Sequence, residues 1–384
     1  MRRLRLALPA LAAIATLLLP AAASAKANLQ VGFLDNAYVS IDPEGYWRDS
    51  VALHVGFARW DLQWDQIAVT QPRSPRDPED PAYFWAQTDA FVRQAAEHGL
   101  QDRVMFTLWK TPRWASSTGS TKARATQMPR LKAWRDFVFA CAKRYSGRYT
   151  PPGQGAPLPR VVAWETWNEP NAYFAFRPQW QRGEPVSPRN YVQLLKGLRY
   201  EVGRAVTFKP VFVAGAMYKQ GGRSSLSPLQ FMAGLQKAGA RFDVLSIHPY
   251  NRVPANGIRD GANESATNPY SISVGNLDAF INAANRIFGR RYPIWITEFG
   301  LQTPAPGVVR AASYPQQARF VRQAIARLKG LPQVERAAWF LIQDDPPRNG
   351  HWYTTGLRTS TDAKKPSYGA WQQAAAKLKR SPIH

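Results

Sequence analysis

The stretch "VVAWETWNEPN", Val161 to Asn171, decides how the chain is read. Its first seven residues form an apolar, β-branched and aromatic run of strand length. Pro170 then stops it, because proline brings no N–H to a sheet ladder. Seven further runs of this kind punctuate the chain: "LQVGFL" (Leu29 to Leu34), "GFARWDL" (Gly56 to Leu62), "RVMFTL" (Arg103 to Leu108), "PVFVAG" (Pro210 to Gly215), "FDVLSIH" (Phe242 to His248), "PIWITEF" (Pro293 to Phe299) and "AAWFLIQ" (Ala337 to Gln343). Longer amphipathic patterns separate them, such as "LDAFINAANRIFG", where Leu277, Phe280, Ile281, Ala284 and Ile287 fall on one helical face. Near-continuous apolar strands covered by helices imply an all-parallel sheet. Eight strand-helix units therefore predict an α/β chain closed into a single-domain (β/α)8 TIM barrel over residues 26–384. The open doubly wound sheet is the competing arrangement, but "GFLDNAYVS" at the first strand lacks the glycine-rich phosphate turn that such sheets carry.

The first 25 residues read as a signal peptide rather than as part of that barrel. Arg2, Arg3 and Arg5 form a basic segment, "LALPALAAIATLLLP" an apolar one broken by Pro9 and Pro20, and Ala23 and Ala25 suit cleavage before Lys26. The run is short for a span of about 20 apolar residues, so the reading is export to the cell envelope or beyond, with no stable membrane insertion. The formal charge is +24, and losing the leader removes only three arginines. Such an excess bears on partners, not on fold. No basic run interleaved with aromatics and no helix-turn-helix or zinc-finger spacing supports nucleic acid. An anionic polysaccharide and a surface suited to an anionic envelope remain. Cys141, the single cysteine, excludes an internal disulfide and sits at helical spacing with Leu131, Trp134, Val138 and Tyr145, as a core residue does. The five histidines show no paired metal-ligand spacing and no G-x-S-x-G elbow is present, so the expectation is no metal and no organic cofactor. Oligomeric state leaves no mark on the sequence.

Polar residues gather where the strands end. The fourth ends in Asn168 and Glu169, the sixth in His248 and Tyr250, the seventh in Glu298, and the second carries Arg59 and Asp61. In a barrel, such residues stand on the rim above the packed layers. Two glutamates on strands four and seven would face each other across the mouth. Glycosidic hydrolysis needs that pair, one carboxyl to protonate the leaving oxygen and one across the sugar, with amides for its hydroxyls and flat apolar surfaces for its rings. "WETWNEPN" would supply the acid, the amide and the indoles. Glu165, four residues deeper on the same strand, reads instead as a buried partner of a basic side chain. Asp344 and Asp345 carry no assignment. Two long connections, "TPRWASSTGSTKARATQMPR" and "NRVPANGIRDGANESATNPYS", would wall the same rim.

The pair "WETWNEP" and "WITEFG", with "ARWDLQW", "SIHPY" and "GLRTSTDAKKPSYGAW" in matching places, resembles glycoside hydrolase clan A, and the "WExWNEPN" form is most similar to family 39 and related bacterial polysaccharide hydrolases. The likeness covers nearly all of residues 26–384. It implies a retaining β-glycoside hydrolase acting on a polysaccharide or oligosaccharide, with an endo mode suggested by the long rim loops. Glu169 would be the general acid/base, Glu298 the nucleophile, and Asn168 the partner of the sugar 2-hydroxyl. Arg59 and Tyr250 would hold Glu298 ionised, His248 would bind substrate or support Tyr250, and Trp339 would be the ring platform. Family 39 xylosidases usually add a β-sandwich, for which little chain is left here. The alternative is a catalytically silent barrel that binds carbohydrate.

Overall fold

The computed structural model describes residues 29–118, 124–251, 271–305, 308, 310–346 and 353–378. The expected leader and residues 252–270 of the second long connection lie outside them. Among the described residues, eight strands build the main sheet, in chain order: β1 (Gln30–Leu34), β2 (Phe57–Gln63), β3 (Val104–Trp109), β4 (Ala163–Thr166), β5 (Val211–Tyr218), β6 (Val244–His248), β7 (Ile294–Phe299) and β8 (Val334–Phe340), apart from a small two-stranded hairpin at Trp180–Gln181 and Glu184–Pro185. They pair in parallel with their chain neighbours, and β1 pairs with both β2 and β8, so the sheet is a closed barrel. One main helix follows each strand: α1 (Pro43–Ala52), α2 (Ala86–Glu97), α3 (Leu131–Arg144), α4 (Ser187–Ala205), α5 (Pro228–Lys237), α6 (Leu277–Phe288), α7 (Tyr314–Lys329) and α8 (Pro366–Ala375). This is the single (β/α)8 barrel that the alternation of apolar runs and amphipathic patterns predicts.

Local chemistry sets the helix limits. Ser227 and Ser313 each form a capping box, with Gln230 and Gln316, and a proline follows in the first turn of α5 and α7. Gly289 ends α6 in the left-handed conformation, φ 63°. The buried face of α6 includes Leu277, Phe280, Ile281 and Ala284, as its periodicity requires. On α3 the buried set includes Trp134, Val138 and Cys141, and Tyr145 caps the helix, but Leu131 at its first turn is exposed. Cys141 is a free, fully buried thiol, and burial holds its pKa well above the ordinary value.

Strand limits differ from the sequence reading by up to three residues, and at two of them the backbone gives the reason. The fourth strand stops at Thr166, before Trp167, whose φ of 63° leaves the extended region. The eighth spans Val334–Phe340 rather than Ala337–Gln343, because Leu341 has φ 76°. Inside the barrel, Met105, Ala163, Val213, Val244 and Trp295 pack as an apolar layer toward the strands' N-terminal ends. Above it the interior turns polar, with Arg59, Thr107, Glu165 and Ser246 all buried and bonded to one another. Buried charge is tolerable only when paired and hydrogen-bonded, and this layer satisfies that condition directly beneath the rim.

Candidate active site

Arg59, on β2, is the hub on which the rim residues are tied from beneath. It is buried, and its Nε donates to Thr107 Oγ1 at 2.8 Å. Its Nη1 donates to Glu298 Oε2 at 2.9 Å and to the Thr297 carbonyl at 3.0 Å. Nη2 donates to Asn168 Oδ1 at 2.6 Å and pairs with Asp61 Oδ1 at 3.1 Å. One guanidinium thus fixes one carboxylate on β7 and one amide beyond β4. The bond to Oδ1 turns the Asn168 NH2 away from Arg59.

Glu169 and Glu298 converge from opposite walls. An oxygen of each, with a His248 ring nitrogen, lie within 4.8 Å of one another. Glu169 adopts φ 47°, outside any strand, and its amide donates to the Ala216 carbonyl at 2.9 Å. Tyr250 donates its hydroxyl to Glu298 Oε1 at 2.5 Å. His248 lies between the glutamates, with Nδ1 3.2 Å from Glu169 Oε1 and 3.6 Å from Glu298 Oε2. Its Nε2 is 3.1 Å from Thr297 Oγ1.

These surroundings drive the two carboxyls apart in acidity. Burial alone would raise both. For Glu298 the His248 and Arg59 charges and the hydrogen bonds from Tyr250 and Arg59 outweigh it and hold the carboxyl below its ordinary pKa. For Glu169 burial dominates and the Glu298 charge adds to it, so its pKa is raised although His248 pulls the other way. Asp61, also desolvated, is pushed up to about 6 despite Arg59. A pair of nearby carboxyls separated in this sense is the arrangement that divides acid from anion.

Two cavities meet at the glutamates, sharing Phe174, Phe340 and Tyr353 with them. One, of about 550 Å³, extends past Tyr218, Lys219 and Arg310. The other, of about 470 Å³, extends past Asn36, Asp61, Trp109 and Lys110. In the second, Trp109 Nε1 is buried without a hydrogen-bond partner among the described residues. An orphaned donor beside a cavity is a group a bound hydroxyl can satisfy. Glu169, His248 and Glu298 are, among the described residues, the one set of side chains close enough to share a metal ion. The Arg59 guanidinium already occupies the cationic position against Glu298.

The structure brings Glu169, Glu298, Asn168, Arg59, His248 and Tyr250 together, as the sequence places them. It corrects the aromatic assignments. Trp339 is fully buried on the outer face of β8, against Phe299, Phe320 and Trp371, with Nε1 bonded to the Thr355 carbonyl. A ring in that position offers a sugar no face. Its neighbour Phe340 lines the cavities instead, because successive strand residues point to opposite faces. Trp164 and Trp167 are likewise core residues, packed on Phe106 and on Phe176 with Trp134. His248 and Arg59, expected to meet the substrate, are buried, and their described contacts are with the glutamates and other protein groups. Glu165 has the basic partner expected of it, 3.4 Å from Arg59 Nε. Asp344 anchors the tail through Lys365 at 2.7 Å, whereas Asp345 lines the second cavity. Phe174 and Tyr353 escaped the sequence reading because they stand on loops, where no period marks a face, and Tyr218 because β5 runs three residues past the Gly215 limit expected for it.

The family model described as "Glycosyl hydrolase catalytic core" matches residues 165–356. No curated protein matches the sequence. Among solved structures, a glucosidase from Croceicoccus marinus superposes with TM-score 0.61 at 15% identity, over 92% of this chain and 67% of that one. A family 39 glycoside hydrolase from Bacteroides cellulosilyticus gives 0.61 at 18%, over 92% and 64%. GH5_18 from Streptomyces cattleya, solved in complex with GlcNAc, gives 0.63 at 16%, over 94% and 82%. Likeness at these identities is a likeness of fold.

Proposed function

From the premise that the chain belongs to the glycosyl hydrolase catalytic core family, we propose that it is an exported, retaining β-glycoside hydrolase that cleaves within an anionic polysaccharide or oligosaccharide. The observation that carries the retaining mechanism is the approach of the two glutamates. Oxygens within 4.8 Å of one another fit the retaining separation of about 5–5.5 Å between carboxyl groups better than the about 6.5–9.5 Å of an inverting pair. Glu298, kept anionic by Arg59, His248 and Tyr250, attacks the anomeric carbon. Glu169, kept protonated by burial beside that charge, gives its proton to the leaving oxygen and later takes one from water. Asn168 offers its NH2 to the sugar 2-hydroxyl.

Cavities on both sides of the glutamates support binding of sugars on either side of the scissile bond, as internal cleavage requires. Lys219 and Arg310 on one side, in a chain of formal charge +24, support a glycan bearing carboxylates. Residues 1–25 support export. The test pairs two variants. Glu298→Ala is expected to remove turnover and leave the circular dichroism spectrum unchanged. Glu169→Ala should retain hydrolysis of dinitrophenyl glycosides, whose leaving group needs no proton, while losing at least about a hundredfold on phenyl glycosides. Wild-type turnover in the first variant, or equal loss on both substrates in the second, rejects the roles. A wild-type protein that binds glycans and releases no reducing ends from any of them is the silent barrel.

A further inference from the structure

Glu165 lies beneath both glutamates and touches neither, yet it is fully buried and accepts from two side-chain hydroxyls. Thr107 Oγ1 donates to Glu165 Oε2 at 2.7 Å and Ser246 Oγ to Glu165 Oε1 at 2.7 Å. The direction of each bond is forced. Thr107 Oγ1 accepts from Arg59 Nε at 2.8 Å, and Ser246 Oγ accepts from the Ala216 amide at 2.6 Å. Neither of those donors can act as an acceptor, so each hydroxyl must turn its single hydrogen onward. The Ala214 carbonyl, 3.3 Å from Ser246 Oγ, is the longer of the two acceptors open to the serine. Both chains therefore end on Glu165, and they need an acceptor at each oxygen.

Each chain leads back to one of the glutamates. The first sets the guanidinium that holds Glu298. The second holds an irregular segment of β5, where the register with β6 shifts between Ala214 and Met217. Gly215 has φ 126° there, and a Cβ on it would stand 2.3 Å from the Ser246 carbonyl oxygen. Ala216 has φ 41°, a conformation that persists only where its surroundings fix it. The Ala216 carbonyl receives the amide of Glu169.

We propose that Glu165 is a positioning residue for both rim glutamates, placing Glu298 through Thr107 and Arg59 and Glu169 through Ser246 and Ala216. The proposal rests on the roles given to those glutamates above. Charged or titratable groups facing this network are Asp61 on β2, Glu169 beyond β4, Tyr191 on α4, His248 and Tyr250 at β6, and Glu298 on β7.

The two arms have different signatures. Nucleophile placement matters for every substrate, whereas acid placement matters only when the leaving group needs a proton. Rates are measured on the dinitrophenyl β-glycoside that the wild-type protein hydrolyses fastest and on the matched phenyl β-glycoside. Thr107→Val is expected to slow both about tenfold, the scale of a small misplacement of a reacting group. Ser246→Ala should slow the phenyl substrate about tenfold and the dinitrophenyl substrate less than twofold. Glu165→Gln, which can accept at only one oxygen, should show both effects. A structural role alone would lower Tm and leave kcat and its leaving-group dependence unchanged. Wild-type rates in Thr107→Val, or equal losses on both substrates in Ser246→Ala, overturn the proposal even if Glu165→Gln fails to fold. A second readout needs no substrate and stands if the hydrolase reading falls. Thr107→Val should move the Arg59 Nε–H resonance in NMR spectra, and Ser246→Ala should speed hydrogen exchange at the Ala216 amide. Unchanged signals at both sites overturn it.

Discussion

Tyr250 shows how one side chain can set a pH limb. Its hydroxyl gives Glu298 a hydrogen bond that only the anion fully uses, and together with the His248 and Arg59 charges it offsets the desolvation that would raise that carboxyl. Activity needs Glu298 ionised and Glu169 protonated, so kcat/KM should rise as pH passes upward through the pKa of Glu298 and fall as it passes through the raised pKa of Glu169. Tyr250→Phe weakens the anion, so the acid limb should move to higher pH, with the alkaline limb nearly fixed. A profile of kcat/KM against pH for both proteins checks this, and an acid limb that stays in place sinks the role of the phenol. The glutamates, Arg59, Asn168 and Tyr250 were legible because polar residues at the ends of apolar strands have little other reason to be there. The tryptophans were not. Trp339 and Phe340 are adjacent apolar residues on a strand buried on both faces, and composition cannot say which of them points inward.

At the scale of elements, the seam between β1 and β2 is the narrowest joint of the barrel, paired only at Gly32↔Phe57 and Phe33↔Ala58. A Cβ at Gly32 would lie 2.1 Å from the Phe57 carbonyl oxygen. Gly32→Ala should therefore destabilise the fold by about 3 kcal/mol or more, the upper range for overpacking, read as a lower urea midpoint at unchanged slope. An unchanged midpoint would mean that the strands part without cost at this joint. The order and type of the eight units were legible from apolar runs and helical periods, which long-range contacts do not alter. Their ends were less so. β4 and β8 stop at residues of positive φ, Trp167 and Leu341, and nothing in a tryptophan or a leucine announces a left-handed backbone.

For the molecule as a whole, charge and cleft act together. Lys219 and Arg310 face the larger cavity in a strongly basic chain, so association with an acidic glycan should be steered and salt-sensitive. The screening length is about 30 Å at 0.01 M ionic strength and about 10 Å at 0.1 M. KM on a uronate-containing polysaccharide should rise several-fold between those conditions, whereas on the same polymer after carboxyl reduction it should stay level. A preference for the reduced polymer would leave the hydrolytic chemistry standing and remove the acidic substrate.

Asp35, just past β1, accepts from the amides of Ile342 and Gln343, just past β8, across 307 and 308 positions of chain. A ribosome must have released nearly the whole polypeptide before that clasp can fasten. Until then the growing product can hold both Glu169 and Glu298 but lacks the segment that Asp35 fastens beside the joint of β1 and β8, so the two carboxyls would be locked in register only when that late segment has emerged.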